Sequence, residues 1–209
     1  MKNSLKNLWL FISLVIVFAA CSKPAEEKEE VVEISEPGLS QQQLDSLNWV
    51  YIAVNDSLDA SWIVMIKDDD EKIADMKRLL NEISKTKRYD KARHRELIND
   101  VDKLALIRYD RKSMADSDKI DEYDSANSIM TKEVILFAAN HPQYEDNPVF
   151  EDIINEIQVA DNRVILHRIR YDRSAKAFNS FVQQNQPYIN QLNTSRKDWS
   201  KVALFELSE

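Results

Sequence analysis

The sequence predicts an all-α fold, an antiparallel bundle of long helices, on three observations. Apolar residues recur at spacings of three and four over most of the chain, which is the period of one helix face. Glycine occurs once, at Gly38, so no later backbone position is set aside for a tight turn or a left-handed residue. No segment alternates at period two, and no strand is expected.

The first twenty residues stand apart from that pattern. Lys2 and Lys6 precede an apolar run of 13 residues, Leu8 to Ala20. A basic start, a short apolar stretch and small residues before a break are the pattern of a secretory signal, expected over residues 1–20. The alternative, an uncleaved membrane span, needs about 18–20 apolar residues. Ala19-Ala20 is followed directly by Cys21, the only cysteine, and this resembles the lipobox of bacterial lipoproteins. The resemblance implies transfer of a diacylglyceryl group to the Cys21 thiol, cleavage before it and acylation of the new terminus. At ~0.8 kcal/mol per buried methylene, several acyl chains on one residue anchor firmly where one would not. The membrane is then a partner through the lipid, and the domain is expected in the cell envelope, outside the cytoplasm. With Cys21 modified, no thiol is left for a disulfide, a thiolate metal site or a nucleophile.

The whole chain carries a formal charge of −8. Removing residues 1–20 leaves 26 basic against 36 acidic side chains, near −10. That balance opposes nucleic acid and anionic headgroups as partners. The missing glycines also exclude glycine-rich phosphate loops, dinucleotide fingerprints and nucleophile elbows.

Residues 21–40 mix acids with Pro24, Pro37 and Gly38 and read as a flexible tether. Its last 19 residues reach roughly 65 Å when fully extended. A second reading makes the acidic run a surface-display tag. The bundle domain is assigned to residues 41–209. Ser40 suits an N-cap, and Leu44, Leu47, Tyr51, Val54, Leu58, Trp62 and Met65 form an apolar stripe after it. Asp68-Asp69-Asp70 marks either a break or a solvated face. The stripe resumes with Ile73, Met76, Leu80 and Ile83, so residues 41–86 are one helix or two in line. Ser84–Arg88 suggests a turn, and Leu97, Val101, Leu104 and Tyr109 continue a second helical stretch. Asp116 or Ser117 caps a third, with Ile120, Tyr123, Met130, Val134 and Phe137 on one face. Asn140-His141-Pro142 stops it. Asn147 as N-cap and Pro148 in the first turn start the last helix, whose stripe runs from Phe150 through Tyr171 to Val182 and stops before Pro187.

The segment His141-Pro142-Gln143-Tyr144-Glu145-Asp146-Asn147, then Phe150, Ile153, Ile157, Asp161-Asn162-Arg163-Val164, Arg168, Tyr171-Asp172 and Phe178-Asn179, resembles the LemA family. The family pattern there is a proline-containing turn, an Asn before the helix, Glu-Asn-Arg-Ile, an Arg, and two Tyr-Asn pairs seven residues apart. Leu204-Phe205-Glu206 is similar to its aromatic-Glu ending. The sequence departs from the pattern at Asp172, usually Asn, and at Phe178, usually Tyr. The family's early Arg-Arg stretch is absent near residues 66–83, and a lipobox replaces its N-terminal membrane helix. The resemblance implies a membrane-tethered bundle outside the cytoplasm, LemA-like and four-helical, with no defined enzymatic activity.

At 100° per residue, Asp161, Arg168, Asp172 and Asn179 share one flank of the last helix. They form either a polar ridge that docks a partner or a network that fixes which helices are neighbours. Asp116, Asp118, Asp121 and Asp124 invite a calcium-loop comparison, but Ile120 occupies a ligand position and no glycine follows, so an acidic helix start is expected. His94, His141 and His167 lack metal-ligand spacing, and His167, close to the apolar stripe, reads as a hydrogen-bonded core histidine. Trp49, Trp62 and Trp199 form no box. No catalytic residue, cofactor or metal site is assigned. The reading is a non-enzymatic envelope scaffold or interaction module with unidentified envelope proteins as partners. The alternative is a ligand- or metal-binding bundle, or a hydrolase using acidic side chains.

Overall fold

Four helices follow from the apolar periodicity in a computed structural model that describes residues 38–205. Residues 1–37, with Cys21 and most of the tether, and Glu206 lie outside the described residues. Helix α1 is Gln41–Ser84, α2 Lys91–Ile107, α3 Ser117–Ala139 and α4 Pro148–Gln184. Single 3₁₀ turns lie at Ser113–Ala115 and Ile189–Gln191. Among the described residues there is no strand, and no helix is long and apolar enough to cross a membrane.

Local chemistry sets the helix ends. Ser40 closes a capping box: its hydroxyl accepts from Gln43 N, and Gln43 Oε1 accepts from Ser40 N at 2.9 Å. Asp90 accepts from Ala92 N and Arg93 N at 2.9 and 3.0 Å, and Asp116 accepts from Asp118 N. Asn147 departs from expectation. Its side chain makes no capping bond, and the start of α4 relies on Pro148 in the first turn. Asn185 ends α4 before Pro187 is reached, donating from its side chain to Phe181 O at 2.8 Å.

Residues 41–84 are a single helix of 44 residues, about 66 Å at 1.5 Å per residue. Asp68–Asp70 is not a break, and only Asp70 stays on the solvated face. The helix runs straight through, and Asp68 and Asp69 turn inward. Tyr109 is not helical either, because α2 stops at Ile107 and Tyr109 enters the core from the link to α3.

The core follows the stripes. Leu58, Met76, Leu79, Leu80 and Ile83 of α1 meet Leu97 and Val101 of α2, Val134 and Ala138 of α3, and Phe150, Ile157, Tyr171 and Phe178 of α4, all fully buried. Cross-helix pairs give the directions. Ser57–Ser174, Asp68–Arg163, Lys72–Asp161 and Arg78–Glu156 run oppositely along α1 and α4. Asp69–Tyr123 and Met76–Thr131 run the same way along α1 and α3. α4 packs along most of α1, whereas α2 and α3 meet only its C-terminal half. Phe178→Ala, in the fully buried seam, is expected to cost about 3–5 kcal/mol. Leu106→Ala, at 83% exposure, should change stability by less than about 0.5 kcal/mol; urea denaturation followed by circular dichroism measures both.

Candidate functional site: a charged cavity between three helices

Residues 65, 68, 69 and 72 share one face of α1 through helical spacing, and they form one wall of a cavity of about 240 Å³. Tyr123, Asp124, Asn127 and Ser128 of α3 form a second wall, and Ala160, Asp161, Val164, His167 and Arg168 of α4 a third. Arg108 and Tyr109 close it from the α2–α3 link. α3 and α4 share few contacts with each other, which leaves the space open.

Each carboxylate in the cavity has its own cation. Asp68 meets Arg163 at 2.5 Å, Asp69 meets Arg108 at 2.9 Å, Asp161 meets Lys72 at 3.0 Å, and Asp124 holds Arg168 through two bonds of 2.5 and 2.7 Å. Lys72 is only 2% exposed, and an unpaired charge there would cost several kcal/mol. Asp69 is the most connected group. One oxygen accepts from Arg108 and the Tyr123 hydroxyl, the other from Asn127 Nδ2 at 3.2 Å, with Lys72 Nζ at 4.0 Å. Burial, and then the Asp69 charge, raises the pKa of Tyr123. Burial likewise raises that of Tyr109. Burial pulls the Arg168 guanidinium down, but its bonds to Asp124 and Tyr109 outweigh that and hold it above its ordinary value.

The expected ridge on α4 is real as a row of side chains, but it is already occupied. Asp172 Oδ1 accepts from Phe205 N at 2.8 Å, and Asn179 both donates to Val202 O and accepts from Val202 N at 2.9 Å. Arg168 stacks over the Phe205 ring at 4.7 Å, and Tyr171 donates to Ala203 O at 3.2 Å. Asp161 turns the other way, to Lys72. All four side chains are engaged within the chain: Asp161 and Arg168 tie α4 to α1 and α3, while Asp172 and Asn179 hold the C-terminal segment. Asp124, expected in an acidic helix start, is engaged by Arg168.

The histidines separate. His94 Nε2 donates to Leu80 O at 2.9 Å. His141 accepts from Gln143 N and pairs with Thr86 through its two nitrogens. His167 is buried as expected, but not hydrogen-bonded. Nε2 stands 3.3 Å from Asp68 Oδ2 without bonding geometry, and Nδ1 has no partner. Arg168 Nε is likewise buried without a partner. Among the described residues, no three His, Cys, Asp or Glu side chains are grouped as a metal site would need. The sequence signal that was missed is the i, i+1, i+4 set Asp68, Asp69 and Lys72, which reads as a surface ion-pair pattern until its neighbours are known.

No family model, curated protein or solved structure matches this chain. The site therefore stands on its own geometry.

Burial pushes Tyr171 up to about 12, so three of the seven tyrosines ionise late in the folded chain. Below about pH 10 these phenols are protonated in both states and pH has no leverage through them. Above it the unfolded chain releases protons that the fold retains, so stability falls as pH rises. Phenolate absorbance should show three phenols, Tyr109, Tyr123 and Tyr171, appearing only together with alkaline unfolding.

Proposed function

We propose that the chain is a membrane-tethered envelope lipoprotein of the LemA type that acts by binding other proteins rather than by catalysis. The tether rests on the lipobox-like Ala19-Ala20-Cys21 and the LemA reading on the residues of 141–179 quoted above. The single observation behind the binding role is the outer face of the N-terminal half of α1. Trp49, Ala53, Asp56, Ala60 and Ile63 follow one another at steps of four, three, four and three, the spacing of a coiled-coil seam. All five are exposed, Trp49 at 72% and Ile63 at 61%, and Val64 beside them at 48%. Small residues alternate with large ones, so a partner helix has both knobs to receive and holes to fill, and Asp56 supplies a polar position that sets register. The occupant best suited to this face is an amphipathic helix of another envelope protein.

A second reading, small-ligand binding, is favoured by the cavity of about 240 Å³ between α1, α3 and α4. In both readings the cavity carboxylates serve as counter-charges to Lys72 and the arginines rather than as acids or bases.

A photocrosslinking residue at Ala60 of the full chain, in cells, should give a discrete adduct that Trp49→Glu abolishes, whereas one at Ile129 of α3 should not. Equal adducts from both positions, or an adduct indifferent to Trp49→Glu, would count against the seam. Palmitate incorporation should disappear in Cys21→Ser, and its persistence there would remove the lipid tether.

A further inference from the structure

Residues 196–205 lie in a groove of α1 and α4 that holds them as a bound peptide is held. Among the described residues, none of this segment's backbone groups bonds to another backbone group. Its anchors recur at every third residue, the period at which an extended polyproline-type chain returns to one side. Arg196 lies over the Phe178 ring at 4.3 Å and donates to Asn55 Oδ1 at 2.9 Å. Trp199 meets Tyr51 edge-on at 5.4 Å. Asn179 bonds both N–H and C=O of Val202. Phe205 closes on Tyr109 and Tyr171 while Asp172 accepts from its N–H. The residues between the first three anchors, 197, 198, 200 and 201, are exposed. Main-chain hydrogen bonds combined with pockets for spaced side chains are how extended peptides are recognised.

Groove and segment differ in how firmly they are built. Tyr171 and Phe178 are fully buried and Asp172 is 2% exposed, whereas no residue from 193 to 205 is buried. A segment with so few buried contacts opens locally, without unfolding the helices beneath it. Opening uncovers an aromatic floor and the two side chains that bond main chain, Asn179 and Asp172. The same contacts define a replacement: a cation, an aromatic, an aliphatic and a second aromatic residue at steps of three. A second copy carries that pattern too, but chains of net charge −8 repel one another. We propose that this groove binds an extended segment of a partner protein with that spacing, and that the chain's own C-terminal segment occupies the site until displaced. The site shares no residue with the outer seam of α1 and is tested separately from it.

Fluorescence anisotropy on the full chain tests this, with a labelled, amidated peptide of residues 196–205 as probe. Saturable binding is expected, about tenfold tighter to the Phe205→Ala chain, whose own segment has lost its anchor while the groove keeps every residue. The same peptide with Phe205→Ala should bind about tenfold more weakly. Helical circular dichroism of the variant chain should be unchanged. Should that variant fail to fold, hydrogen exchange on the native chain serves instead, and the amides of Val202 and Phe205 should exchange by local opening, much faster than that of Phe178. No saturable binding to either chain, equal binding of a scrambled peptide, exchange at 202 and 205 as slow as at 178, or a native dimer that Phe205→Ala dissolves (a second copy as the occupant) would each overturn the proposal.

Discussion

Buried charge must be met by opposite charge, and one turn of α1 imposes that requirement on every other helix. Asp68, Asp69 and Lys72 lie inside the bundle midway along a 44-residue helix. Burial without partners would cost several kcal/mol each. Their partners come from every other part of the domain: Arg108 from the end of α2, Tyr123 and Asn127 from α3, Arg163 and Asp161 from α4. Apolar burial supplies most of the driving force, but it is indifferent to which greasy stripe meets which. The charged turn is selective, because only one arrangement of neighbours satisfies it.

The second fixed feature is the C-terminal segment. Its backbone has no ladder partner, so α4 offers side chains in place of a strand, with Asn179 bonding both N–H and C=O of Val202 and Asp172 taking Phe205 N. Phe205 then covers Tyr109, Tyr171 and Arg168, which extends the core past the last helix. The N-terminal half of α1 has against it α4, this segment and, at Asp59 and Trp62, the α2–α3 link. That is why Trp49 and Ile63 remain in solvent there.

Period and punctuation made the helices readable. The apolar stripes of α1 and α4, the capping Ser40, the turn after Ser84 and the Pro148 start all followed from local chemistry. What escaped depended on tertiary partners. Asp68–Asp70 looks solvated in one dimension, because nothing local reveals that Arg108 and Arg163 will come to meet it. The 161–179 ridge was visible as a row, but the partners of Asp172 and Asn179 lie in a segment more than twenty residues further along the chain, and no periodicity announces that. His167 was placed in the core correctly, but that its ring faces Asp68 of α1 is set by tertiary packing.

The most direct test of the charged turn as organiser is Asp69→Ala, read by urea denaturation together with hydrogen exchange along the chain. Loss of this carboxylate leaves Tyr123 and Asn127 without their acceptor and Arg108 with Asp70 alone, so a destabilisation of about 1–3 kcal/mol is predicted. Exchange should accelerate through residues 108–127 while the 172–182 stretch of α4 keeps its protection relative to them. A variant within about 0.5 kcal/mol of the native chain, with protection altered only beside residue 69, would contradict the account.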